Sequence, residues 1–312
     1  MKTNSVLAVL GVLAGLVAMP GHTEDGPTPA PPPTMITSTT LTGTLAKANT
    51  SGAITIGYRD ASIPFSYLDA NGQPIGYSIE LCRALVHFIE SAINKHLTIK
   101  WAPVTSDTRI NAVVNDQVDL ECGSTTNNLE RQKRVAFSPT FFVSGTKLLV
   151  KKGSSIRSFR DLSGKKVTVT SGTTNEKTML DLSKKFNIDF TVLPMRDHAE
   201  SFAQITSGQA DAFATDDVLL YGLIAQKPAY RDQYAVVGDF LSYDPYGIMY
   251  RKDDPQLAKV INATFRQLAQ DGEIERQYKQ WFLRKLPSGA NLNMPMSPHL
   301  ETILETLSAP ME

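Results

Sequence analysis

The sequence predicts an α/β protein of two doubly wound lobes with mixed, mainly parallel sheets, joined by a two-strand hinge. Three observations support that architecture. Segments alternating at period two take turns with segments of helical spacing; this strand-helix series occurs twice; and two extended stretches, residues 141–150 and 240–250, bracket its second copy. The first lobe is accordingly expected over residues 45–143 and 244–286 and the second over residues 144–243. Paired crossovers make a natural hinge, and open parallel sheets take ligands beyond the carboxyl ends of their strands. The site is therefore expected between the lobes.

The elements follow in chain order. "AITIGYRD" alternates and ends in Arg59, and an irregular stretch then runs from Asp60 through Pro64: a strand and a loop. "GYSIELCRALVHFIESAINK" sets Ile79, Cys82, Leu85, Val86 and Ile89 on one helical face, after which "LTIKWAPV" alternates again. "TSDTRINAVVNDQ" reads as a short helix with Thr105 or Ser106 as its N-cap, and "VDLECG" as a third strand. The second series is "KKVTVTSG", "TTNEKTMLDLSKKF", "DFTVLP", "DHAESFAQITSG" and "ADAFAT", strand and helix in turn. A returning strand, "YGIMYRKD", precedes "PQLAKVINATFRQLAQDG" and "IERQYKQWFLRK", whose apolar positions recur at three and four, as in packing helices. Residues 287–312 form a C-terminal tail expected to wrap the surface and end in a short helix.

Charge and termini exclude several classes of function. With 31 basic and 31 acidic residues the formal net charge is zero, against a broad nucleic-acid surface. Residues 1–22 read as a signal peptide, with Lys2 ahead of an apolar run from Val6 to Met19 that is short for a membrane span. An uncleaved anchor is the alternative, and either way the folded part is exported. Residues 23–44, dominated by Pro and Thr, read as a tether. An oxidising compartment permits Cys82 and Cys122 to pair, but sequence leaves open whether their Cα atoms come within about 7 Å. No metal spacing and no cofactor motif is present; "GSTTN" lacks the spacing of a phosphate loop.

The chemistry-bearing residues cluster at the predicted ligand edge. Arg59 ends the first strand, Arg109 begins the second helix and Arg131 follows the third strand, so three cations converge there and call for an anionic guest. In the second lobe a strand runs into Ser171, Gly172, Thr173 and Thr174 with a helix opening behind them, a place where backbone amides favour an anion. Capping alone explains any single hydroxyl. His198 starts the next helix behind Asp197, its expected cap, and Asp216 and Asp217 stand at the end of the lobe's third strand, where one acid can meet an ammonium. Several cationic donors and one acid suit a guest with two carboxylates and one ammonium.

"ECGSTTNNLERQK", together with "PFSY" before it and "TSGTT", "DH" and "RKDDPQ" after it, resembles solute-binding protein family 3, the periplasmic binding proteins of polar amino-acid ABC transporters, and in particular its glutamate/aspartate binders; the resemblance covers residues 52 to about 296. It implies a type II periplasmic binding protein fold, a periplasmic monomer, L-glutamate or L-aspartate as ligand, an ABC transporter permease in the inner membrane as partner, and neither cofactor nor nucleic acid. By the same resemblance Arg131, Ser124 and Thr126 hold the α-carboxylate, Asp216 takes the α-ammonium and Thr173 and Thr174 add contacts. Arg59, Ser106, Arg109 and His198 surround the side-chain carboxylate. One departure is that the family pattern has its second cysteine where this chain has Ile248, while this chain has Cys82, so no disulfide is carried over. The rival readings are a dehydratase-like enzyme of the same fold and a ligand-sensing partner of a receptor. Against the enzyme, the sequence has no G-x-S-x-G elbow, no lyase domain after the lobes and no base paired with a nucleophile.

Overall fold

A computed structural model describes residues 40–310; the expected signal peptide, and the tether as far as residue 39, lie outside the described residues. Two five-stranded sheets form the two lobes. The first is ordered Thr98–Pro103, Ala53–Tyr58, Leu120–Glu121, Met249–Arg251, Val135–Phe137, and the second Thr191–Met195, Lys166–Thr170, Ala212–Asp216, Thr146–Lys151, Tyr234–Val237. In each sheet the first three strands are parallel, and the fourth runs against both its neighbours. The reversal has the same cause in both lobes. A strand reached through a helical crossover returns in the direction of its predecessor, whereas Thr146–Lys151 and Met249–Arg251 continue directly from the ribbon that joins the lobes.

That ribbon consists of Phe142–Ser144 and Asp244–Tyr246, paired antiparallel with Ser144 opposite Asp244 and Phe142 opposite Tyr246. It is rooted in the first lobe by aromatic packing: Phe142 lies 4.9 Å from Phe65, edge-on, and 5.0 Å from Phe282, stacked. The apolar faces predicted from periodicity are buried. Cys82, Leu85, Val86 and Ile89 of the helix Tyr77–Ile93 enter the first lobe's core beside Ile54 and Ile56, and Val167, Val169 and Met179 form part of the second lobe's. Cys82 and Cys122 are disulfide-bonded with Cα atoms 6.4 Å apart, which settles the pairing that sequence left open.

Several elements differ from expectation. The helix Gly43–Ser51 begins inside the stretch assigned to the tether; Leu45 and Ala48 are buried, and Asp254, far along the chain, accepts from Thr44 N at 2.7 Å. "DVLLYGLIA", Asp217–Ala225, is a helix without a sequence period because nearly every side is buried. The helix predicted from Thr105 or Ser106 starts only at Arg109; Thr105 Oγ1 accepts from Thr108 N at 3.2 Å in the turn before it, and Ser106 caps nothing. The tail does end in a helix, Pro298–Ser308, capped by Ser297, with Leu300 and Leu304 buried in the first lobe's core.

Candidate functional site

Eight of the residues singled out in the sequence line one cavity between the lobes: Ser106, Arg109, Ser124 and Thr126 from the first, and Thr173, Thr174, His198 and Asp216 from the second. Arg59 and Arg131 do not line it. Arg59 is buried with its stem against the backbone at Gly123, where a Cβ would sit 2.9 Å from its Cγ. Arg131 uses two of its five N–H donors as a bridge, Nη1 to Thr126 O at 2.9 Å and Nη2 across the cleft to Gly172 O at 3.3 Å. Asn175 and Leu219 complete the lining, and sequence reasoning missed both.

Arg109 puts a cation in the first lobe's wall, with the buried charges of Arg59 and Arg131 nearby. Burial, then the nearby Arg109 charge, lowers Arg59 to about 9, and the same two causes lower Arg131 to about 10. Burial also lowers Arg109, while Glu121 counters the fall in all three. All therefore stay charged at neutral pH. Arg59 Nη1, Arg109 Nε, Ser106 Oγ and Ser124 Oγ are buried without hydrogen-bond partners among the described residues. A buried polar group left unpaired costs about 1–3 kcal/mol, more when charged, so Arg109, Ser106 and Ser124, which line the cavity, offer unmatched donors that an oxyanion can satisfy.

The second lobe supplies one neutral imidazole and one acid. His198 opens the helix His198–Thr206, and its expected cap Asp197 accepts from Glu200 N at 2.9 Å. Burial first, then the charges of Arg59 and Arg109, hold His198 well below the usual imidazole range, so it is neutral. Its Nδ1 lies 2.8 Å from Thr170 Oγ1. Thr170 Oγ1 also lies 3.0 Å from Ser201 Oγ, so the threonine proton is shared between two partners and sets which ring nitrogen of His198 carries its proton. Asp216, at the end of the strand Ala212–Asp216, accepts from Asn175 Nδ2 at 2.7 Å and from the Tyr246 hydroxyl. Asp217 turns elsewhere, accepting from Ser144 Oγ at 2.7 Å and Val218 N at 2.8 Å at the start of its helix.

Small residues bring the lobes together. Thr173 is the N-cap of the helix Thr174–Phe186: its Oγ1 accepts from Glu176 N and donates to Thr170 O at 2.7 Å. Gly172 N donates to Glu176 Oε2 at 2.8 Å, so this predicted amide donor is already engaged. Thr174 Oγ1 meets Thr126 Oγ1 at 3.3 Å across the cleft, and Thr126 Oγ1 also donates to Asp244 Oδ1 at 3.0 Å on the ribbon. Among the described residues no group of three or more His, Cys, Asp or Glu side chains is placed to hold a metal ion.

Two lobes of this topology, closed through an antiparallel ribbon over a small charged cleft, define a type II periplasmic binding protein. The chain belongs to the bacterial extracellular solute-binding proteins, family 3, whose family model matches residues 54–284. It is 39% identical over 97% of its length to the glutamate/aspartate import solute-binding protein of Salmonella typhimurium, covering 96% of that protein. It is 44% identical to the L-glutamate/L-aspartate-binding protein of Pseudomonas aeruginosa, over 85% of this chain and 88% of the other. Among solved structures, an ancestral arginine-binding protein bound to glutamine superposes with a TM-score of 0.68 at 30% identity, over 75% of this chain and 99% of that one. These curated relatives are named for solute binding and import, not for catalysis.

Proposed function

We propose that this chain is the extracytoplasmic solute-binding component of an ABC importer, a periplasmic monomer that captures L-glutamate and L-aspartate between its lobes and delivers them to a membrane permease. The observation that carries this reading is the pairing of unmatched donors in the cavity lining, Arg109, Ser106 and Ser124, with a single acid in the same lining, Asp216. An acidic amino acid has the complementary set, two carboxylates and one ammonium. In this reading Ser124, Thr126 and the remaining donors of Arg131 hold the α-carboxylate. Asp216 takes the ammonium, and Thr174 contributes from the helix start. Arg59, Ser106, Arg109 and His198 Nε2 meet the side-chain carboxylate. Relatives named for glutamate and aspartate support it.

Energetics are consistent with capture at low concentration. Hydrogen bonds to charged groups contribute about 1.5–3 kcal/mol each, and micromolar affinity corresponds to about 8 kcal/mol, so four or five good bonds suffice with a margin for immobilisation and desolvation. Closure about the ribbon raises their worth by excluding water, and the ligand shifts the open–closed equilibrium by the difference in its affinity for the two forms. The test is calorimetry on mature protein stripped of ligand by unfolding and refolding, titrated with glutamate, aspartate, glutamine and arginine. Tight binding of the two acids alone is expected; binding of arginine in preference to both would refute the assignment.

A further inference from the structure

Glu121 and Thr125 are fully buried beside the cleft without lining it, and neither is explained by capping or core packing. Thr125 Oγ1 lies 2.5 Å from Glu121 Oε2 and 2.6 Å from Arg109 Nη1. The direction of both bonds is forced. A guanidinium can only donate and the threonine hydroxyl has one proton, so Arg109 donates to Thr125 and Thr125 donates to Glu121. Glu121 thus acts as counter-charge to Arg109 through a hydroxyl, not by direct contact. The spacer matters, because a carboxylate bonded directly to a guanidinium typically takes two of its donors at once. Here the relay engages Nη1, which also reaches Ser124 O at 3.4 Å, and leaves Nε unpartnered at the cavity wall. The relay is also held by the segment that leads from the ribbon into the first lobe's fourth strand, since Thr125 O accepts from Gly247 N at 3.1 Å.

We infer that Thr125, with Glu121 behind it, is the positioning residue that aims the Arg109 fork at the side-chain carboxylate of the ligand, and so sets the preference for acidic over neutral amino acids. This rests on the reading of the cleft as a site for acidic amino acids. Without the hydroxyl, Arg109 Nη1 and Glu121 Oε2 would each lose a partner in a buried setting. The two would then rotate towards each other, and the fork would turn away from the cleft.

The experiment compares Thr125→Val, which keeps shape and removes the hydroxyl, with Thr125→Ser, which keeps the hydroxyl, and Thr125→Cys, which replaces it with a thiol, a weaker donor and acceptor. Glutamate affinity is measured by calorimetry, glutamine affinity by displacement of glutamate, and thermal midpoints by circular dichroism. In T125V, glutamate affinity should fall by about tenfold or more, while glutamine affinity changes much less, so that the ratio narrows. T125S should retain the wild-type ratio and T125C fall between. An unchanged ratio in T125V, or equal losses in T125S and T125V, would overturn the relay; should T125V not fold, a wild-type ratio in T125C would do the same. A wild-type protein that binds no acidic amino acid would sink the reading of the cleft itself, and the relay with it.

Discussion

Burial, and after it the charge of Asp244, pushes the Asp216 carboxyl up to about 8, against the pull of hydrogen bonds from Tyr246 and Asn175; Asp217 adds to the rise. Arg109 faces it from the first lobe, and its charge and that of Asp216 favour each other. Near neutrality the ligand-free carboxyl is therefore largely protonated, whereas an ammonium guest needs it ionised. Ligand capture should then release up to one proton, and affinity should rise with pH towards about 8. Calorimetry in buffers of different ionisation enthalpy checks this. Asp216→Asn should abolish the proton release and weaken binding by about ten- to a hundredfold, the loss of one charged hydrogen bond. Stability of the ligand-free protein carries the opposite sign. A carboxyl raised in the fold contributes stability below its unfolded value of about 3.9, and that contribution is lost as pH rises through about 8. His198, held neutral by burial and then by Arg59 and Arg109, contributes stability above its unfolded value of about 6.5, lost as pH falls below it. Urea midpoints of wild type and Asp216→Asn across pH should separate most on the alkaline side, with the variant the more stable.

At the level of elements, the loop before the helix Thr174–Phe186 determines whether the lobes can meet. Gly172 has φ +73°, and a Cβ there would lie 2.7 Å from Asp107 Cα, backbone of the opposite lobe. Gly172→Ala should therefore leave each lobe folded, at a local cost of about 1–2 kcal/mol, but hold the cleft open. The expected result is at least a tenfold loss of glutamate affinity with no ligand-induced fall in radius of gyration by small-angle scattering; unchanged compaction would contradict it. The disulfide plays the corresponding part in the first lobe. It ties Cys122, two residues before Ser124, to the helix Tyr77–Ile93 across 40 residues, and its removal by Cys82→Ser with Cys122→Ser should cost about 2–4 kcal/mol in denaturant unfolding. What sequence made legible is what local pattern encodes: a helix start and a strand end place Arg109 and Asp216 on the two sides of the cleft because alternation and helical spacing are read a few residues at a time. What it hid is non-local. The helix Gly43–Ser51 depends on Asp254, and Asp217–Ala225 is buried on nearly every side, its one exposed side chain after the first turn being the aromatic Tyr221, so no polar face creates a period. Glu121, Thr125 and Asn175 matter only through partners on other segments: Arg109 for the first two, and Thr146 and Asp216 for Asn175.

For the molecule as a whole, the tail is a third connection between the lobes beside the two ribbon strands. Leu300 and Leu304 anchor its helix in the first lobe's core against Pro255–Gln270, and Met294 N donates to Phe282 O at 3.0 Å in the same lobe. Before that anchor, Asn291 O accepts from Arg231 of the second lobe, and within the helix His299 Nε2 lies 2.9 Å from the Tyr243 hydroxyl on the crossover. A contact between a segment fixed to one lobe and a side chain of the other favours the arrangement in which the lobes are together, so the tail weights the equilibrium towards closure. Deleting residues 287–312 would confuse this effect with lost packing, since burying each leucine is worth about 1.5–3 kcal/mol. The discriminating variant is Arg231→Ala with His299→Ala, which removes the links and spares the buried leucines. Its thermal midpoint should stay close to wild type, while its ligand-free radius of gyration rises and its glutamate affinity falls by the factor by which the closed population has shrunk. A variant with wild-type affinity and dimensions would mean that the tail packs on the first lobe alone, and that the two ribbon strands bear the whole of the hinge.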